Sequence, residues 1–136
     1  MIQVNKQVDY ALQFVLALTR QEKEKPLSLR RFSTESTISF LFLQKIAKAL
    51  REAGIVRANK GPHGGYFLLA SPKTLTLRAV VEAVEGPYAA FPCMKEGFHC
   101  IKEETCISKN AFTLVQTRMV EELDRITIED LALTVK

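Results

Sequence analysis

Residues 59–65 read Asn-Lys-Gly-Pro-His-Gly-Gly, and no regular helix can continue through them. Glycine opens the left-handed region of backbone space, and proline removes a donor and fixes φ. A cluster of this kind marks a tight turn. Short apolar pieces flank it, Ile55-Val56-Arg57 before and Tyr66-Phe67-Leu68-Leu69 after. Two strand-like pieces around a glycine turn predict a β-hairpin.

The helices are legible as apolar periodicity. Tyr10, Ala11, Phe14, Val15 and Leu18 fall at helical spacing and predict a helix over 6–21, closed by the charged run 21–25 and Pro26. Leu27 to Phe32 is long enough for two turns, and 33–37 reads as a polar break. Ser36 or Thr37 is placed to cap the next helix, expected over 38–53 with Leu43, Ile46, Ala47 and Leu50 inward and Gly54 as terminator. Thr76 opens a further helix through Val84, stopped by Gly86-Pro87. From 108 to 126 a long helix carries Phe112, Val115, Met119, Leu123 and Ile126 on one stripe, with Leu114 and Val120 off it. Apolar residues on more than one side of so long a helix imply a second copy, so a homodimer is expected. Thr127-Ile128-Glu129-Asp130 reads as a capping box before a short last helix.

Two short helices around a polar turn, the second basic, form the helix-turn-helix pattern, and a hairpin directly behind it is a wing. The expected fold is mostly α with a small β wing: a winged helix-turn-helix over 1–86, a cysteine loop over 87–108, and a dimerisation helix with its tail over 109–136. At 136 residues the chain has room for one core. It shows no basic-apolar leader and no apolar run of the ~20 residues needed to span a bilayer, so a cytoplasmic protein is expected.

The net charge of +4 is unevenly placed: residues 1–60 carry +6 and residues 61–136 carry −2. A basic first half suits a polyanion. In a helix-turn-helix, the second helix enters the major groove with its first turns at the base edges. Those turns offer Ser36, Thr37, Ser39, Gln44 and Lys45, while Lys48 and Arg51 suit the phosphate backbone. Arg57, Asn59, Lys60 and His63 of the wing suit an adjacent groove. Phe40, Leu41 and Phe42 are three large apolar residues in a row, and they cannot all face one core. One of them is left for thymine methyls, a partner or a neighbouring helix.

Cys93, Cys100 and Cys106 fall within fourteen residues that follow neither helical nor strand periodicity. An odd number of thiols in a reducing compartment points to metal or redox chemistry. Their intervals are too long for a zinc ribbon and suit a loop wrapped around a larger thiolate-held cluster. A metal-free thiol sensor closing a Cys93–Cys106 disulfide and a zinc-stabilised module are the alternatives. An enzyme is not expected, because only His63 and His99 could serve as a base and His63 lies in the wing.

The strings Ile38 to Ile46, Leu50 to Val56 and Gly61-Pro62-His63-Gly64-Gly65-Tyr66-Phe67-Leu68 resemble the Rrf family of bacterial winged-helix regulators (IscR- and NsrR-like). Tyr10-Ala11-Leu12 and Glu85-Gly86 match as well, so the resemblance covers nearly the whole chain. It implies a homodimeric transcription regulator, a repressor, on a near-palindromic double-stranded DNA operator. It also implies a 2Fe–2S or 4Fe–4S iron–sulfur cluster that senses nitric oxide, iron–sulfur status or redox state. The three cysteines would be ligands. Some relatives complete the set with a histidine three residues past the last cysteine, where this chain has Lys109. NsrR-like members use an aspartate from the first helix of the other subunit, and Asp9 matches it, with His99 as the rival ligand. Leu41-Phe42 and Gln44 depart from the family's helix, so the operator sequence does not carry over.

Overall fold

The computed structural model describes residues 5–22, 24–95, 97, 99 and 106–134. Helix α1 spans Lys6–Thr19 and is opened by Asn5, whose side chain accepts from the Gln7 amide. Its inner face is Val8, Ala11, Phe14, Val15 and Leu18. The helix ends at Thr19, well short of Pro26. Three-residue bonds from Arg20 to Ala17 and from Gln21 to Leu18 tighten the last turn and close it.

Helix α2 spans Leu29–Ser36 and α3 spans Phe40–Glu52. The expected polar break at 33–37 is mostly helix instead. Thr34 and Ser36 donate back to the carbonyls of Arg30 and Phe32, at 3.0 and 2.6 Å, which lets hydroxyl residues stay helical. The turn is Thr37-Ile38-Ser39, with Thr37 left-handed at φ 62°. Neither Ser36 nor Thr37 caps α3; Ser39 holds that position, without a side-chain capping bond. Ser33 donates to the Ile38 carbonyl at 2.5 Å, and Ile38 donates to Ser36, so the hydroxyls of α2 lock the turn.

The inner face of α3 is Leu43, Ile46, Ala47 and Leu50, as the spacing predicts. Its end is a Schellman motif: Ile55 donates to Leu50, Gly54 donates to Arg51, and Gly54 takes φ 76°. Strands β1 (Val56–Asn59) and β2 (Gly65–Leu68) pair antiparallel, with Val56 opposite Leu68 and Asn59 opposite Gly65. The far edge of β2 bonds to Leu27 through two backbone bonds of 2.9 Å at Tyr66.

That close approach is why residue 65 is glycine. A Cβ there would sit 2.6 Å from the Leu27 carbonyl oxygen and 2.8 Å from its carbon. Backbone cannot swing aside as a side-chain tip can. Gly65→Ala is expected to cost about 1–3 kcal/mol and lower Tm by roughly 3–10 °C in a thermal melt. An unchanged Tm would show that the wing is not held against Leu27.

Helix α4 (Leu77–Glu85) begins at Thr76, whose hydroxyl accepts from Ala79, and stops at Gly86 with φ 82°. Helix α5 spans Lys109–Arg125 and α6 spans Ile128–Thr134. The capping box before α6 is reciprocal: Thr127 donates its amide to Asp130, and Asp130 donates its amide to the Thr127 hydroxyl. The Thr127 amide also holds the Asp130 carboxyl below its usual range. The chain then returns to the core. Leu77 donates to Ile126, Ile128 donates to Leu75, and Ile128 is fully buried. The core therefore draws on both ends of the chain. Phe14 lies at its centre, with ring centroids 5.5 Å from Phe32 and 5.7 Å from Tyr66.

Candidate functional site

Helix α3 has two sharply different faces. Against its buried stripe stands an outward row of Leu41, Gln44, Lys45, Lys48, Arg51 and Glu52, all exposed. Lys48 leans toward Glu52 at 4.0 Å, a loose surface pair that a phosphate can displace. Ser39 is exposed at the start of the helix, with Thr37 before it. Of the residues expected at this surface, Ser36 differs: its hydroxyl is half-buried and engaged with Phe32 and Ile38, so it shapes the turn.

The three apolar residues at the start of α3 have separate fates. Phe40 lies under the guanidinium of Arg30, 4.3 Å from ring centroid to Cζ. Phe42 meets Tyr10 of α1 edge-to-face, with centroids 5.4 Å apart at 86°. Leu41 is 72 % exposed. On the wing, Arg57, Asn59, Lys60 and His63 are all exposed. Arg57 stacks over Phe67 at 4.4 Å and donates to the Asn59 side chain, so its charge is aimed rather than free to sweep.

The cysteine segment begins below α4. Cys93 lies exposed in a single 3-10 turn, Pro92–Met94, and Cys106 lies half-buried just before α5. Both thiols are free. Cys100 lies outside the described residues. Among the described residues no three His, Cys, Asp or Glu side chains converge on one point. The donor types still suit a thiolate-held cluster. Cys106 lies half-buried just ahead of the first turn of α5, and Cys93 is open to solvent. Asp9 is exposed on the first turn of α1, with one carboxylate oxygen accepting from Gln13 at 3.1 Å. His99 is exposed.

Sequence reasoning missed how this segment is held. The side chain of Gln116 on α5 accepts from the Ala90 amide at 2.6 Å and donates to the Tyr88 carbonyl at 2.7 Å. It thus pairs with the backbone as a strand would. Phe91 stacks on Phe112 at 4.4 Å, and the Tyr88 hydroxyl lies 3.5 Å from the Met119 sulfur. Burial pushes the Tyr88 phenol up. A polar residue amid a helix gives no hint in one sequence that it clamps a loop. Gln116→Ala would leave two backbone groups without their partner, costing about 1–3 kcal/mol locally. Faster amide exchange at 88–91, with the rest of the chain unchanged, is the expected result; unaltered protection would show the clamp to be dispensable.

A salt bridge carries the connection onward. Arg78 of α4 pairs with Glu82 at 2.7 Å and with Asp124 of α5 at 2.9 Å, and both acids hold its pKa above the usual arginine value. Helix α4 in turn packs against α1 and α3.

The family model described as Rrf2, iron-dependent transcriptional regulator, matches residues 4–134. The chain belongs to the Rrf2 family. A putative HTH-type rrf2-like transcriptional regulator of Rhodobacter capsulatus is 29 % identical over 94 % of this chain and 91 % of its own length. The solved structure of CymR, the global cysteine regulator of Bacillus subtilis, superposes with a TM-score of 0.83 at 25 % identity, covering all of both chains. The structure of IscR from T. potens superposes at 0.74 with 26 % identity, over 95 % of this chain and 85 % of that one. This Rrf2 protein is therefore a DNA-binding transcription regulator with a winged-helix fold, and not an enzyme. None of its described helices is long and apolar enough to cross a membrane.

Proposed function

We propose that this Rrf2 protein is a homodimeric repressor of a near-palindromic operator, and that an iron–sulfur cluster sets its grip on DNA. Cys93, Cys100 and Cys106 would hold the cluster, with Asp9 of the partner subunit as the fourth ligand. When bound, the cluster supplies iron that reacts with nitric oxide or oxidants.

The observation that carries this reading is the packed route from the cysteine segment to the recognition helix. Gln116 and Phe112 tie residues 88–91 to α5. Arg78 ties α5 to α4, and α4 packs on α3. Ordering or releasing the cysteine segment therefore bears on where α3 stands. In a dimer the two α3 helices must lie about one DNA turn apart, ~34 Å, to enter successive grooves. A second copy is supported by α5, which buries none of its residues within one chain and leaves Leu114 56 % exposed. The DNA face would be Thr37, Ser39, Gln44, Lys45, Lys48 and Arg51 on α3, with Arg57, Asn59, Lys60 and His63 on the wing.

A second reading has its own support in the likeness to CymR. There the free thiols of Cys93 and Cys106 would join on loss of two electrons and two protons to an oxidant, with no metal. Iron and acid-labile sulfide, measured on protein purified without oxygen, separate the two. Both elements together, lost in a Cys93→Ala, Cys106→Ala variant, are expected. Zinc alone, or no metal, would overturn the cluster.

A further inference from the structure

The run Phe40-Leu41-Phe42 opens the helix that faces DNA; Arg30 covers Phe40 and Tyr10 covers Phe42, whereas Leu41 stays 72 % exposed. Leu41 lies one turn before Lys45 on the outward row of α3. It borders a shallow concavity of about 390 Å³ whose polar lining is Lys6, Thr37, Ser39 and Lys45 and whose apolar floor is Tyr10, Ile38 and Phe42. Two ammonium groups and two hydroxyls thus share this concavity with an exposed leucine. Burying a leucine there against protein would strand those cations, whereas a duplex supplies phosphates for the lysines and an apolar patch for the leucine. The apolar group in the major groove is the 5-methyl of thymine.

We infer that Leu41 is a specificity-determining residue that reads a thymine methyl in each operator half-site. The inference rests on α3 entering the major groove. The hydroxyls and Gln44 recognise hydrogen-bonding edges, which uracil and thymine share. Leu41 adds the one discrimination those groups cannot make.

The test uses the full-length protein and a duplex that it selects for itself from a random-sequence library. Each thymine of the selected half-site is replaced in turn by deoxyuridine, which removes only the methyl group, and binding is measured at fixed salt. One position is expected to weaken about fourfold, which is ~0.8 kcal/mol at 1.4 kcal/mol per tenfold. Leu41→Ala should bind the thymine and uracil duplexes equally there, and Leu41→Met should keep the difference. Because Leu41 is exposed, neither substitution opens the core, and circular dichroism confirms the fold. If the wild type ignores every uracil, or if Leu41→Ala still senses the methyl, the assignment falls. A Leu41→Ala loss of affinity that is equal on both duplexes would place the leucine against protein and likewise overturn it. Enrichment of no duplex at all would instead remove groove entry by α3, and the assignment with it.

Discussion

Phe14→Ala is expected to destabilise the protein by about 3–5 kcal/mol, a large share of the roughly 5–15 kcal/mol that holds a domain folded. The ring is fully buried in α1 and touches Phe32 of α2 and Tyr66 of β2. These neighbours come from two other elements, each fixed by its own backbone bonds. Tyr66 is pinned by two bonds to Leu27, and Phe32 lies within α2. The cavity left by a benzyl group cannot collapse without breaking those bonds, which is why the upper part of the range applies. Urea unfolding followed by circular dichroism checks it. A midpoint change equivalent to less than 1 kcal/mol would show that Phe14 is not the keystone between wing and helices. Phe14→Leu, which keeps most of the volume, should recover most of the loss.

The second large effect concerns function. A Cys93→Ala, Cys106→Ala variant is expected to hold a single operator affinity whether or not iron, sulfide or nitric oxide is supplied. In the unaltered protein, thiolates at Cys93 and Cys106 would anchor the start and end of the loop, and the Gln116 clamp would pass that order to α5. A coupling of ~2.7 kcal/mol is enough for a hundredfold change in affinity. Two hydrogen bonds, one aromatic stack and one two-acid salt bridge lie along the route, each of a size that together can supply such a coupling. The variant keeps all of these contacts and loses only the anchor. Retention of a nitric-oxide response in the variant would place the sensor elsewhere.

Much of this architecture was legible because local and global preferences agree. Leu43, Ile46, Ala47 and Leu50 advertise one face of a helix, Gly54 advertises its end, and Gly61 to Gly65 advertise the hairpin. Thr127 and Asp130 form the box that their spacing foretold. The boundaries of α2 were not legible. Serines and threonines favour turns on average, but here Thr34 and Ser36 bond back to their own helix, and the turn falls later, at Thr37. The start of α3 moved for the same reason, since Ser36 serves the turn and Ser39 holds the cap position. The outward row of α3 could be read from spacing alone. The fates of Phe40, Leu41 and Phe42 could not, because Arg30 and Tyr10, which cover the two aromatic rings, come from other elements. Nor could the clamp by Gln116, which joins residues 26 and 28 positions away. Contacts of that range depend on the whole chain being folded, and no local pattern encodes them.

Operator affinity of the unaltered protein, purified without oxygen and compared with the same protein stripped of iron by a chelator, tests the account most directly. At one fixed salt concentration, about a hundredfold difference in Kd is predicted, with the cluster-bearing form tighter. Equal Kd values for the two forms would contradict it.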